Sequence, residues 1–261
     1  MIVTGARAMS AQRILRAKAR VAYPAVLRAV LFDWGDTLMR WAPEPDLLEA
    51  GHAAGFRAIG REPAPGMTDR FRDVYLASFF EPGVIEEVEY PSQVRRLLGE
   101  FGVEVSDEGL GRFLEAEHAA WQPARQLAST SHALLDALRE RGLKLGLVSN
   151  AFDPPSLLHR DLEHFGVASR LDVALFSSEV GRRKPDPAIF ERALGELGVE
   201  PALALFVGDT LATDVAGAKA LGMHTCQAVW FRADEDPDAP EPDFQAFTQM
   251  DVLTIVRRLA E

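Results

Sequence analysis

Cysteine is nearly missing from this sequence: Cys226 is the single thiol among 261 residues. No intrachain disulfide and no cysteine-rich zinc site is available, so a reducing, cytoplasmic compartment is the expectation. Long apolar runs are also missing, none approaching the roughly 20 residues that a membrane-spanning helix needs. Lysine is scarce, occurring only at Lys18, Lys144, Lys184 and Lys219, with none between Arg40 and Ser129. The six histidines show no metal-ligand spacing. Cys226 falls in a predicted strand and reads as a small core residue.

Positive charge is in deficit, 28 Lys and Arg against 39 Asp and Glu, for a net charge of −11. Residues 1–28 hold Arg7, Arg13, Arg16, Lys18, Arg20 and Arg28 and no acid, which leaves a net of −17 on the rest. Such a body repels phosphate backbones, so nucleic acid is not an expected partner. The basic extension, 1–28, has no apolar stretch of signal-peptide type and reads as functionally neutral, with Met9 as an alternative start. The remaining composition is ordinary: 48% hydrophobic and 26% charged residues exclude a disordered, collagen-like or coiled-coil chain. Nothing in the sequence fixes an oligomeric state.

The pattern changes twice along the chain. Ala29-Val30-Leu31-Phe32 is a short apolar run before a polar turn, the mark of a strand buried on both faces. From Pro43 to Gln126 the pattern is helical, without a convincing strand. Leu110, Phe113, Leu114 and Trp121 share one helix face, interrupted by Glu117. Breaks at Pro63-Ala64-Pro65-Gly66, Glu81-Pro82-Gly83 and 102–106 divide the stretch into about four helices. After Ser129, strands at 143–148, 173–176, 202–207 and 224–230 alternate with helices at 131–141, 155–165, 188–197 and 213–221. Alternation of this kind predicts an α/β fold, a parallel sheet covered on both faces. The acidic stretch Asp234–Asp243 reads as a solvated loop and Asp251–Leu259 as a closing helix.

In an open parallel sheet, ligands bind beyond the carboxyl ends of the strands. Asp33, Ser149-Asn150, Lys184 and Gly208-Asp209 each come after a predicted strand. Any one of them reads equally as a turn or capping residue, but together they can build a phosphoryl-transfer site. A carboxylate can act as nucleophile towards phosphorus. Bringing it against a phosphate dianion costs roughly 4 kcal/mol per charge pair at about 4 Å and an effective dielectric near 20. A cation held by oxygen ligands, with Lys184, supplies compensation, and Ser149 can donate to a phosphate oxygen.

Asp33-Trp34-Gly35-Asp36-Thr37-Leu38, Leu147-Val148-Ser149-Asn150, Gly181-Arg182-Arg183-Lys184-Pro185-Asp186-Pro187 and Val207-Gly208-Asp209-Thr210-Leu211-Ala212-Thr213-Asp214 resemble the four ordered motifs of the haloacid dehalogenase-like hydrolases, over roughly residues 29–230. The resemblance implies a Rossmann-like parallel-sheet core, 29–42 and 127–261, with an all-helical cap domain inserted at 43–126. It implies phosphatase activity with Mg2+ on a small phosphorylated metabolite. Asp33 is then the nucleophile, Lys184 the charge clamp, and Ser149 with Asn150 and Lys184 the phosphate site. Asp33, Asp209, Asp214 and the Gly35 carbonyl become the metal ligands.

One position departs from the family. Its phosphatases carry an aspartate two residues after the nucleophile and then glycine; here the order is Gly35 then Asp36. The missing acid protonates the leaving group and activates water, help worth about 10²–10⁴-fold. Either Asp36 takes the role by a different loop path, or the substrate has a good leaving group, or the site binds without turnover. The plain reading of Asp36 is a turn residue bonded to nearby backbone. A metal-independent haloacid dehalogenase is the alternative enzyme, but the retained Asp209 and Asp214 speak against it, since unneutralised carboxylates raise one another's pKa. A Schiff-base hydrolase of phosphonoacetaldehyde type lacks its cap lysine. Cap candidates for substrate contact are Arg57, Arg72, Arg95, Arg96, Arg112, Arg125, His118 and Trp121, each equally readable as a solvated or packed helix residue. Trp34 either lines the mouth of the site or packs beneath the cap.

Overall fold

A computed structural model of the chain describes residues 27–80 and 84–261. The basic extension, apart from Leu27 and Arg28, and the expected break at Glu81-Pro82-Gly83 lie outside the described residues.

Six strands form one parallel sheet: β1 (Ala29–Phe32), β4 (Lys144–Ser149), β5 (Val173–Phe176), β6 (Ala204–Gly208), β7 (His224–Ala228) and β8 (Phe244–Ala246), in the order β5-β4-β1-β6-β7-β8. β1 lies between β4 and β6, with Phe32 opposite Leu147 on one side and Val207 on the other. Alternate side chains enter opposite layers, as the two-residue period of a strand requires. Val30, Phe32, Leu145, Leu147, Leu205 and Val207 join one core with α5 (Ser131–Arg139), α6 (Pro155–His164) and α10 (Asp251–Leu259). Ala29, Leu31, Val148, Ala204 and Phe206 join the other, against α8 (Pro187–Leu197). At roughly 1.5–3 kcal/mol for each large apolar side chain removed from water, these strands are where burial stabilises the fold most. α8 begins where Asp186 accepts the Ala188 N–H at 2.9 Å, with Pro187 at its first position, and it ends at Gly198 with φ 63°.

The chain from 45 to 120 supplies four helices, α1 (Pro45–Ala58), α2 (Met67–Phe80), α3 (Tyr90–Glu100) and α4 (Asp107–Ala120). Ser106 caps α4 by accepting the Gly109 N–H at 3.1 Å. These helices share their own apolar cluster, with Phe56, Phe71, Tyr75, Tyr90, Phe113 and Trp121 buried together. Gly55 lets α1 approach α4, since a Cβ there would lie 2.7 Å from the Phe113 ring. Glu117, the charge in the apolar stripe, is buried beside His52 Nδ1 at 2.6 Å and accepts from Tyr90 Oη at 2.8 Å.

Three expectations need correction. The helical stretch ends in a strand: β3 (Arg125–Leu127) pairs antiparallel with β2 (Met39–Trp41), so the chain enters and leaves the helices side by side. The sheet has a further strand, β8, and a short helix α7 (Ser177–Val180) comes directly after β5. The expected helix at 213–221 is a single π-helical turn, Leu211–Val215, continued by α9 (Ala216–Ala220). No described helix is long and apolar enough to cross a membrane.

Candidate active site

Asp33 stands one residue beyond β1, its N–H held by Val207 O of β6 at 2.9 Å. Asp209 comes directly after β6, and Asp214 is turned back towards the same crevice by the π-helical turn. The turn places two N–H groups, Asp214 and Val215, on Thr210 O at 2.9 and 3.3 Å. The Asp214 carboxylate closes it by accepting the Thr210 N–H at 3.0 Å. Single π-turns inside helices recur at functional sites. Gly208 makes this close return possible, because a Cβ there would sit 2.5 Å from Asp214 Cγ.

One oxygen from each of Asp33, Asp209 and Asp214 lies within 4.8 Å of the others, and all three residues are buried. Lys184 reaches into the same space, with Nζ 2.7 Å from Asp33 Oδ1, 2.6 Å from Asp214 Oδ1 and 2.9 Å from Val148 O. Burial alone would discharge this lysine, but Asp214 and Asp33 outweigh it and hold its pKa above the usual value. Asp209 is raised, first by burial and then by Asp214 and Asp33. Asp214 is raised too, because burial outweighs a lysine shared between two acids. Asp209 Oδ2 and Asp214 Oδ1 are buried without a properly directed hydrogen bond. Hard oxygen donors, crowded and under-satisfied, fit a divalent cation such as Mg2+.

These raised values set the sign of the pH dependence. Between the ordinary aspartate value and the raised ones, the folded chain keeps protons that the unfolded chain has released, so stability falls as pH rises through that window. A cation must displace those protons. Added Mg2+ is therefore expected to raise Tm little near pH 5 and by about 5–10 °C near pH 8 at roughly hundredfold excess over Kd. Thermal melts with Mg2+ or chelator at both pH values check this; equal shifts at the two would contradict it.

Other expected residues fall differently. Ser149 ends β4, buried at the same edge of the sheet. Asn150, expected at the phosphate site, has its carboxamide on the lysine loop. Its Oδ1 accepts Lys184 N–H at 2.7 Å and its Nδ2 donates to Lys184 O at 3.1 Å, so the side chain fixes where Lys184 stands. Asp36 adopts φ 53°, a left-handed conformation that glycine takes freely. Its carboxylate accepts the Trp41 N–H at 3.2 Å and pairs with Arg232 Nε at 3.5 Å. Burial raises its pKa, and the Trp41 bond and Arg232 hold it down only partly. A Cβ on Gly35 would meet nothing within 4 Å, so no packing demands glycine there. Trp34 is buried among the residues beneath the sheet, 6.0 Å from the Phe165 ring, and does not line the mouth.

The cap candidates divide. Arg96 and Arg112 make ordinary i,i+4 pairs with Glu100 and Glu108, Arg72 pairs with Glu49, Asp69 and Asp73, and Arg95 with Asp107. Arg57 is exposed and Trp121 is buried in the apolar cluster of the four helices, donating to Leu48 O at 3.2 Å. His118 and Arg125 are buried with Asp161, which lies 3.0 Å from His118 Nε2 and 3.1 Å from Arg125 Nε.

Arg232 carries no sequence signature and joins the site only in three dimensions. Its Nη2 lies 2.5 Å from Asp209 Oδ2 and donates to Thr210 Oγ1 at 2.9 Å, so it links Asp36 to Asp209. Asp234, expected in a solvated loop, accepts the Leu211 N–H at 2.7 Å and so holds the π-turn. The acidic character of that loop hid both contacts.

The profile of the haloacid dehalogenase-like hydrolases matches residues 27–222. The chain is 30% identical over 251 residues to the glyceraldehyde 3-phosphate phosphatase of Methanopyrus kandleri, covering 90% of this chain and 100% of that protein. It is 30% identical over 240 residues to the ribulose-1,5-bisphosphate 5-phosphatase of Halopiger xanaduensis, covering 85% and 91%. A solved HAD phosphatase from Thermococcus onnurineus is 25% identical, with a TM-score of 0.61, over 88% of this chain and 98% of that one. Strand order, the convergence of four separated motifs and these likenesses agree: the chain belongs to the haloacid dehalogenase-like hydrolases, as a phosphatase-type member.

Proposed function

We propose that the protein is a magnesium-dependent hydrolase of small phosphate monoesters that works through an aspartyl-phosphate on Asp33. The observation that carries this is Lys184 Nζ shared between Asp33 and Asp214, at 2.7 and 2.6 Å, beside a third acid, Asp209. Asp33 attacks phosphorus as the bond to the ester oxygen breaks, and the alcohol leaves with a proton drawn from water. A second attack, by water, cleaves the aspartyl-phosphate to phosphate and free Asp33. Lys184 balances the charge that accumulates around Asp33, and Ser149 donates to a phosphate oxygen. Asn150 holds Lys184 in register through both hydrogen bonds to its peptide groups. Asp33, Asp209, Asp214 and the Gly35 carbonyl would hold Mg2+, which when bound offsets the repulsion between nucleophile and phosphate. The core at 29–42 and 127–261 and the cap at 43–126 are part of this reading, the cap closing over the crevice to select substrate and exclude water. So are a small phosphorylated metabolite as substrate and a cytoplasmic setting.

Gly35, with Asp36 engaged by Trp41 and Arg232, favours slow turnover, or binding without it, on ordinary alkyl phosphates. The metal-independent dehalogenase reading is disfavoured, because it leaves Asp33, Asp209 and Asp214 crowded together with only Lys184 and the half-exposed Arg232 to balance three acids.

A panel of phosphomonoesters assayed with Mg2+ tests the proposal. Phosphate release is expected to stop with chelator and to fall by at least about 10⁴-fold in Asp33→Asn, as when a covalent nucleophile is removed. Turnover that survives either change would overturn it.

A further inference from the structure

The lysine that balances the catalytic acids sits on a segment that the helical region grips from the other side. Residues 181–183 run antiparallel to 85–87, with Glu86 bridging Arg182. Glu87 N–H donates to Gly181 O at 3.0 Å and Arg183 N–H to Ile85 O at 2.7 Å. The Arg183 side chain continues in the same direction. Its Nε and Nη2 each lie 2.7 Å from Glu87 Oε1, and its Nη1 donates to Ser78 O in the last turn of α2 at 2.8 Å. The guanidinium lies over the Phe152 ring, 5.8 Å from its centroid, two residues beyond Asn150. Arg183 and Glu87 are 8% and 3% exposed at the side chain, so the pair is nearly dry.

Arg183 reaches the helical region while Lys184 reaches Asp33 and Asp214. We infer that Arg183 is a positioning residue, a latch through Glu87 and Ser78 that couples closure of the cap to the placement of Lys184. This rests on the phosphatase reading for its catalytic consequence, though not for the latch itself. A planar guanidinium that donates from Nε to a carboxylate oxygen and from Nη1 to a carbonyl, with Nη2 in ion-pair contact with the same carboxylate, sets both distance and orientation, which a lysine at the same position cannot do. Once one partner is removed, the other is left as an uncompensated buried charge, which favours opening the seam to water. The coupling is reciprocal: whatever fixes Lys184 also favours the closed seam.

Hydrogen exchange read by mass spectrometry at residues 84–89, with and without Mg2+ plus beryllium fluoride, tests the latch without turnover. In Arg183→Met, exchange at 84–89 is expected to accelerate at least about tenfold while exchange in β1 and β6 stays as in the parent, a local opening rather than loss of the fold. Arg183→Lys is expected to fall between the two, and Glu87→Gln to loosen the same segment. In steady-state assays kcat is expected to fall roughly tenfold or more in Arg183→Met. The double variant with Glu87→Gln should be little worse than Arg183→Met alone. Unchanged exchange at 84–89 in both Arg183→Lys and Glu87→Gln would overturn the latch. Faster exchange without any change in kcat would overturn the coupling to Lys184. If the parent protein hydrolyses no phosphomonoester, the exchange data still decide the latch, and only the phosphatase reading fails.

Discussion

Gly35→Asp is expected to raise kcat on alkyl phosphomonoesters by about 10²-fold or more, the lower part of the range that a positioned general acid contributes. The backbone accepts the change: a Cβ at 35 meets nothing within 4 Å, and Gly35 needs no left-handed conformation. That conformation belongs to Asp36, at φ 53°, where the family pattern has glycine. The loop therefore keeps a left-handed turn at position 36 while carrying Gly-Asp, which sets the acid one residue further along the chain. There its carboxylate serves Trp41 N–H and Arg232. Asp36→Gly added to Gly35→Asp removes the left-handed strain, about 1 kcal/mol for a non-glycine residue, and releases Arg232 from one partner. Steady-state kinetics on a substrate with a poor leaving group check this. Unchanged or lower kcat in Gly35→Asp, with a tenfold loss in Asp36→Asn, would mean that Asp36 already does the acid–base work.

Lys184→Met carries the second large effect. Both carboxylates it serves, Asp33 and Asp214, are buried, with side-chain exposures of 9% and 2%. Removing the cation leaves them unbalanced, which for a buried pair costs about 3–5 kcal/mol, or roughly 6–20 °C in Tm for a domain of this size. The loss should be greater at pH 8 than at pH 5, because protonation relieves Asp214, whose pKa burial already raises. Mg2+ should recover part of it. Loss of kcat should reach about 10³-fold, comparable to removing a preorganised charge-stabilising group. Thermal melts across pH, with and without Mg2+, read the first effect. A Tm at pH 8 equal to that of the parent would contradict the assigned charge balance.

The catalytic core is readable in the sequence because its strands are buried on both faces. Ala29–Phe32 and Ala204–Gly208 are uninterrupted apolar runs, and the polar residue after each must lie at the carboxyl edge of the sheet. The same rule points to Ser149 at the end of β4 and to the loop carrying Lys184 beyond β5. Elements of three residues carry no period, so β2, β3 and β8 leave no mark in the pattern. Glu117 looks like a flaw in an apolar stripe because its partners, His52 and Tyr90, stand 65 and 27 residues away. Arg232 and Asp234 are hidden for the same reason: the loop after β7 folds back on the π-turn only in three dimensions, and its composition is that of a solvated segment. Asn150 shows the limit of motif reading. Its place in the second motif singles it out, but the motif does not show that its carboxamide bonds to the peptide groups of Lys184.

The most direct test is to identify the phosphorylated residue. Incubation with Mg2+ and a small acyl phosphate donor, acid quench and peptide mass spectrometry should find one phosphoryl group, on Asp33, absent with chelator and absent in Asp33→Asn. A phosphoryl group on another residue, or multiple turnovers of phosphate release in Asp33→Asn, would contradict the account.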